Sequence, residues 1–439
     1  MTNPAGDTTP IISRVLPDGT LLEAIYQPAE FKTALAIGFA SGDAAIEASF
    51  TLPSGETLVP YSPRNNLLVT ECVLLPSDIG EFGDKRDLVD GIRRYLRRYV
   101  DLSSVFEEVA AHYVLLTWVY DAFNELPYLR FRGDFGTGKT RALLTVGSVC
   151  YKPFFASGAS TVSPIFHVLD AFGGTLILDE ADLRFSDATA ELTKILNNGN
   201  IRGLPVLRTM TNRHKELNPT AFRVFGPKIV GMRQSFSDRA LESRFLTEET
   251  GGRPLRADIP IHLPDSLAVE ARELRNRLLA WRFHARRAIK VDPERLIDGV
   301  SPRLNQTALA LLALVDDPNL RGEIAAHLIN VEGPVPTERS PGDDASVAQA
   351  MCAAFEDATA PFISLADVTQ RFNNSLEDFH LPLSNKAVGA IVRRLGVATT
   401  KSRGIYIISQ SERSRCSGIA KRFGINSVAS EAVVSDTAA

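Results

Sequence analysis

Gly133-Asp134-Phe135-Gly136-Thr137-Gly138-Lys139-Thr140 fixes the fold expected of this chain. It matches the phosphate-loop pattern G-x-x-x-x-G-K-[ST] at every position. Glycines in such a loop let backbone N–H groups turn toward phosphate oxygens with no Cβ in the way. The sequence predicts a strand over Tyr128–Phe131 before the loop and a helix over Thr140–Val149 after it, so the helix N-terminus faces the same anions. In this arrangement Lys139 reaches the β- and γ-phosphates of a nucleotide, and the Thr140 hydroxyl serves as a ligand for Mg²⁺.

Downstream, Thr175-Leu176-Ile177-Leu178-Asp179-Glu180 reads as a buried strand ending in two carboxylates. The interval from Lys139 leaves room for one strand, Phe154–Ala156, and one helix, Ser163–Ala171. That is the content of a βαβ crossover, which would bring loop and carboxylates to one edge of a parallel sheet. Asp179 is the candidate Mg²⁺ carboxylate. Glu180 is the candidate base that orients and deprotonates water. A further strand, Lys228–Met232, is followed by Arg233 and Gln234, either of which could offer a polar side chain to the γ-phosphate; an ordinary surface loop is the competing reading.

The rest of the chain divides around this core. Residues 1–90 read as a small β-rich accessory domain, with turns at Leu16-Pro17-Asp18-Gly19-Thr20 and Leu52-Pro53-Ser54-Gly55-Glu56. Residues 91–126 form a helical linker, and 127–254 the ATPase core. From Pro264 to Arg287 a helix is expected, because Leu267, Ala271, Leu274, Leu278, Trp281 and Ala285 step by four and three. Residues 255–335 are then all-helical. A breaker-rich linker leads to a compact module at 345–412 and a basic, then disordered, tail at 413–439.

With 439 residues, 44% of them hydrophobic and 23% charged, the chain has the composition of a soluble multidomain globular protein. Its four cysteines, Cys72, Cys150, Cys352 and Cys416, have no zinc or redox spacing. The first residues lack a basic and then apolar leader, and the apolar stretches Tyr113–Tyr120 and Ala308–Val315 are too short to span a bilayer. The expectation is a cytoplasmic protein with no membrane association.

Asp238-Arg239-Ala240-Leu241-Glu242-Ser243-Arg244-Phe245 resembles the segment in which AAA+ ATPases carry an arginine finger, often in a Ser-Arg pair after Ala-Leu. Phe245 stands where the Ser-Arg-Cys box of clamp-loader subunits has Cys. The resemblance implies an α/β P-loop NTPase with an AAA+-like parallel sheet, ATP and Mg²⁺ as ligands, and a helical lid after about residue 255. It also implies a homo-oligomer, with a hexamer among the options, in which Arg244 reaches a neighbour's ATP. Arg239 is the alternate finger, and Arg303 stands where a second sensor arginine is often found. More narrowly, Tyr128 to Arg208 is similar to P-loop proteins of plasmids, phages and integrated elements, through Arg132-Gly133, Cys150-Tyr151-Lys152-Pro153, Leu178-Asp179-Glu180-Ala181-Asp182 and Leu196-Asn197-Asn198-Gly199. Such proteins are often described as replication-associated or helicase-like.

The C-terminal module reads as helix Ser346–Ala358, a helix through Leu365, Val368 and Phe372, helix Asn385–Leu395 capped by Ser384, and a hairpin of Gly396–Thr400 with Ile405–Ile408. This layout resembles a winged helix. Between His380 and Asn426 lie nine cations, Lys386, Arg393, Arg394, Lys401, Arg403, Arg413, Arg415, Lys421 and Arg422, against Glu412 alone. That local +8 inside a chain of net charge −4 points to DNA through residues 380–425. A protein-binding module or a solvated cationic face is the competing reading. The expected function is an ATP-hydrolysing, DNA-linked motor, helicase- or translocase-like, serving a mobile element. An ATP-dependent switch that binds DNA or protein without translocating is the alternative. A small-molecule kinase ranks third, because Glu180 suits water better than a substrate hydroxyl.

Overall fold

The computed structural model describes residues 8–157, 160–179, 187–211, 217–236, 238–252, 255–298, 302–332, 343–358, 360–375, 382–402, 404–423 and 425. They fall into two compact units, Met1–Gly333 and Pro334–Ala439.

The first unit is built on five parallel strands: β1 (Tyr128–Arg132), β2 (Pro153–Ser157), β3 (Thr175–Asp179), β4 (Lys228–Met232) and β5 (Phe245–Glu249). Their spatial order is β5-β1-β4-β3-β2, so β4 lies between β1 and β3. Leu176, Ile177, Leu178, Ile229 and Val230 are all at most 1% exposed. Such unbroken apolar runs suit strands covered on both faces. Register places the ends of the strands: Met232 and Glu249 each pair with Arg132, the residue before the phosphate loop. Phe245 pairs with Tyr128, so Arg244, the residue before β5, lies at the opposite edge of the sheet.

Helices α1 (Lys85–Tyr99), α2 (Ser104–Val119), α3 (Lys139–Ser148), α4 (Val162–Phe172), α5 (Asp187–Asn198), α6 (Ser266–Ala285), α7 (Pro302–Leu312) and α8 (Pro318–Glu332) complete the unit. The sequence reads 91–126 as a helical linker, but the structure breaks its helix at Val100–Ser103. Asp84 and Ser103 cap the two helices, accepting from Asp87 N at 2.8 Å and Phe106 N at 3.3 Å. Each cap contributes about 1 kcal/mol. Thirteen of the sixteen residues of α2 are buried, so it is a core helix with no solvent face.

The N-terminal strands form a four-stranded and a three-stranded sheet. The two expected turns carry Gly19 at φ +88° and Gly55 at φ +90°, the left-handed values their hairpins require. The sequence divides 1–333 at 90, 126 and 254, yet these segments share one core. Leu21 and Ile25 pack in the same cluster as Trp118, Leu278, Leu311 and Ile324. A buried ionic network joins them as well. Glu23 accepts from Arg282 Nε at 2.8 Å and Tyr151 OH at 2.7 Å, and Lys152 Nζ lies 3.2 Å away. Arg282 also donates to Asp121 at 2.8 Å. With the charges paired, the network offsets its own desolvation; removing one partner would cost roughly 3–5 kcal/mol. An antiparallel hairpin, Val206–Thr211 with Leu217–Phe222, was not foreseen from the sequence.

The second unit contains α9 (Asp343–Glu356), β6 (Phe362–Ser364), α10 (Leu365–Asn374), α11 (Asn385–Arg394), β7 (Thr400–Ser402), β8 (Ile405–Ser409) and α12 (Arg413–Arg422). The strands form an antiparallel sheet in the order β6-β8-β7. Ser384 caps α11, accepting from Ala387 N at 3.3 Å. The sequence reads the chain from Arg413 as tail, but Cys416 and Ile419 are buried in the core of this unit, which makes α12 part of it. The tail beyond Asn426 and the linker after Gly333 lie outside the described residues.

Candidate functional site

The phosphate loop joins β1 to α3. Gly136 and Gly138 adopt φ values of +78° and +91°, and Gly138 is the N-cap of α3. Gly133 is needed for a different reason: a Cβ there would lie 2.4 Å from Thr250 Oγ1 and 2.5 Å from Thr250 O. Thr250, directly after β5, braces the loop. Its N–H donates to Arg132 O at 2.6 Å, and its hydroxyl lies 2.8 Å from that of Thr137. The sequence held no cue for this brace, which depends on β5 being the neighbour of β1.

Lys139 Nζ donates to Gly133 O at 2.7 Å and Asp134 O at 2.6 Å, so its ammonium lies across the loop. Thr140 Oγ1 donates to Asp179 Oδ2 at 2.7 Å. The loop and the end of β3 therefore meet, although 38 residues separate Thr140 from Asp179 in the chain. Two hard oxygen donors this close fit Mg²⁺, which takes one or two protein oxygens together with phosphate. Lys139, Thr140, Asp179 and Arg233 all line a cavity of about 340 Å³. Two cations, one carboxylate and a helix N-terminus suit a metal-bound polyphosphate. Asp134, Phe135, Gly136 and Thr137 complete the loop, with Phe135 89% exposed. Glu180 lies outside the described residues.

Other expected residues sit elsewhere. Arg244 is 5% exposed and donates to Asn197 Oδ1 at the end of α5. Burial, and then the charge of Arg303, lower its pKa. Five residues of β1 separate its edge of the sheet from the loop, a rise of roughly 16 Å. Neither Arg244 nor Arg303 lines the two cavities beside the loop. Arg239 begins a single helical turn, Arg239–Glu242. Glu242 ties that turn to β1, accepting from Arg130 Nη1 at 2.7 Å and from Phe236 N at 2.9 Å. Burial pushes the Glu242 carboxyl up, but the Arg130 hydrogen bonds and charge outweigh it and hold the group below its ordinary range.

A second cavity of about 840 Å³ adjoins the other side of the loop, sharing Phe135–Gly138 and Arg141 with the first. Its far wall comes from the α1–α2 turn, the end of β5 and His327 of α8. Glu248 fixes that turn by accepting from Ser103 N at 2.6 Å and Ser103 Oγ at 2.8 Å. His327 was not singled out from the sequence, where it is one isolated histidine on a helix.

In the second unit, Lys386, Arg393, Lys401, Arg413, Arg415 and Lys421 are exposed. The side chains of Arg394 and Arg422, and all of Arg403, lie outside the described residues.

The sheet order and the loop together define an α/β P-loop fold. No protein-family model matches the chain, and no curated protein matches it by sequence. Among solved structures, it is similar to an active helicase, Cch of SCCmec type IV, with 15% identity, 94% of this chain and 80% of that one covered, and a TM-score of 0.40. It is also similar to the apo C-terminal region of NrS-1, with 12% identity, coverage of 88% and 96%, and a TM-score of 0.36. The Orc1 protein of Aeropyrum pernix in complex with DNA shares 16% identity over 74% of this chain and 94% of that one, with a TM-score of 0.22. At these scores the likenesses carry no residue roles across. Among the described residues, no helix is long and apolar enough to cross a membrane.

Proposed function

We propose that this chain is an ATP-hydrolysing, DNA-linked motor of AAA+ type. The observation that carries the reading is the meeting of Lys139, Thr140 and Asp179 at one edge of a sheet ordered β5-β1-β4-β3-β2. Lys139 exchanges its two loop carbonyls for the β- and γ-phosphates. Thr140 and Asp179 would hold Mg²⁺, which supplies charge neutralisation along the phosphates. Arg233 approaches the γ-phosphate from the end of β4. Glu180, next to Asp179 in the chain, takes the proton from the attacking water. Arg244, or Arg239 in the turn before it, completes a neighbour's site in a homo-oligomer, contributing about 10³–10⁵ in rate. To do so Arg244 must leave Asn197. The second unit, a winged helix in this reading, grips DNA phosphates through its exposed cations. Replication or maintenance of a mobile element is the setting that the sequence resemblance suggests.

The test is the ATPase rate against protein concentration, with and without DNA. The reading expects a rate per subunit that climbs with concentration, rises further with DNA, and vanishes in Lys139→Ala. Hydrolysis indifferent to DNA, with no strand displacement, would reject the motor and leave the switch. Mixing Lys139→Ala with Arg244→Ala should restore part of the activity; no rescue at any ratio removes Arg244 as a finger in trans.

A further inference from the structure

We propose that Glu242 is a positioning residue that seats Arg233 at the γ-phosphate, acting through Arg130 and the backbone of Phe236. This rests on the nucleotide reading of the loop and deepens it. Glu242 lines neither cavity beside the loop, whereas Arg233 shares one of them with Lys139 and Asp179.

Arg233 belongs to a span pinned at both ends. On one side Met232 closes β4, paired in register with Arg132 of β1. On the other side the Ser235 hydroxyl accepts from Arg132 Nη1. Phe236 comes next. Its N–H donates to Glu242 Oε2 at 2.9 Å, and its ring stacks on Phe245 at 5.4 Å between centroids and 24° between planes. Arg233 and Gln234 alone lie between these anchors. A chain this short has little slack, so a shift at Phe236 is carried to Arg233.

Glu242 can act as an anchor because Arg130 holds it in one orientation. Arg130, on β1, is 3% exposed. Its guanidinium forks onto the carboxylate, with Nη1 donating to Oε2 at 2.7 Å and Nη2 donating to Oε1. Such a two-point pair fixes direction as well as distance. The fork is itself held, because Arg130 Nε donates to Thr247 Oγ1 of β5 at 3.0 Å and the guanidinium lies 5.0 Å from the centroid of the Phe245 ring. The strand that carries Arg130 also delivers the phosphate loop, so Arg233 and Lys139 are placed from one base. Glu242 also closes the turn Arg239–Glu242. The seat of Arg233 therefore depends on the turn that precedes Arg244. An ion pair that only held the fold together could be exchanged for apolar side chains with no loss of function.

Steady-state hydrolysis by the full chain, in a double-mutant cycle between Glu242 and Arg233, tests the proposal. Glu242→Ala should lower kcat about 100-fold, the loss that a misplacement on the order of 1 Å produces. Affinity for a non-hydrolysable ATP analogue should change by less than about 3-fold, because Lys139, Thr140 and Asp179 are untouched. Arg233→Ala should cost a similar factor in kcat. The two together should cost little more than either alone, because both remove the same contact. Glu242→Ala leaves Arg130 buried and unpaired, so the cycle is repeated with Arg130→Met/Glu242→Leu, which strands no charge. That variant should keep the wild-type Tm and show the same loss of kcat. Losses that multiply, or full turnover in Arg130→Met/Glu242→Leu, overturn the proposal. Failure of the underlying nucleotide reading looks different: Lys139→Ala would then hydrolyse ATP at the wild-type rate, whatever the cycle shows.

Discussion

Adding one methyl group at Gly231 should impair catalysis more than folding. Gly231 sits on β4, directly beside the end of β3. A Cβ there would lie 2.8 Å from Leu143 Cδ1 and 3.1 Å from Asp179 Oδ1. The leucine methyl is the tip of a flexible side chain and can swing aside. The carboxylate cannot move freely, because its other oxygen is held 2.7 Å from Thr140. In Gly231→Ala the overpacking therefore costs about 1–2 kcal/mol of stability. The displaced Asp179 misplaces the metal-holding oxygens, and a misfit on the order of 1 Å lowers turnover about 100-fold, or about 2.7 kcal/mol in the barrier. Urea unfolding measures the first effect, and steady-state hydrolysis across a Mg²⁺ series the second. More Mg²⁺ should be needed for half-maximal rate, with metal-free ATP binding intact. Unchanged turnover and unchanged Mg²⁺ demand would refute the reasoning, as would inactivity that merely tracks unfolding.

Lys228 is fully buried and donates to Val224 O at 2.8 Å, Gly226 O at 2.9 Å and Gly199 O at 3.2 Å. Lys228→Met strands three carbonyls and should cost about 3–5 kcal/mol, read as a drop in Tm; an unaltered Tm rules out this role. Burial lowers the His112 pKa from 6.5 to about 4. Between those values the unfolded chain binds a proton that the native chain does not, so stability falls as pH drops from about 6.5 to about 4 and is flat below. From pH 7 to pH 5 the loss from this group is about 2 kcal/mol, and urea unfolding should show that part absent in His112→Gln. An identical loss in the variant would assign it to other groups.

The elements around the loop were legible because each carries a local signal. The apolar run before Asp179 marks β3, and the four-and-three stripe of α6 is buried as expected at Ala271, Leu274, Leu278, Trp281 and Ala285. Lys139, Thr140 and Asp179, which motif and spacing single out, line one cavity in the structure. What escaped was non-local. Thr250 reaches the loop, and His327 the cavity beside it, only through strand order and helix packing, and neither position has a distinctive neighbour in sequence. Helix α12 was hidden by its composition: Arg413-Ser414-Arg415-Cys416-Ser417-Gly418 reads as solvated tail until Cys416 and Ile419 are seen packed inward. The break within 91–126 was missed because Val100 and Leu102 are themselves buried, so hydrophobicity runs on across the turn.

The Glu23–Arg282 pair has a consequence for how the protein is made. Glu23 leaves the ribosome well before its partner, which is synthesised 259 residues later. At about 5–20 residues per second, that leaves a carboxylate-bearing, otherwise apolar strand waiting for roughly 13–50 seconds before its buried counter-charge exists. The first unit cannot close progressively from its N-terminus. It must gather its outermost segments late, at high contact order, and the nascent strand Leu21–Gln27 is the piece most exposed to mispairing in the interval.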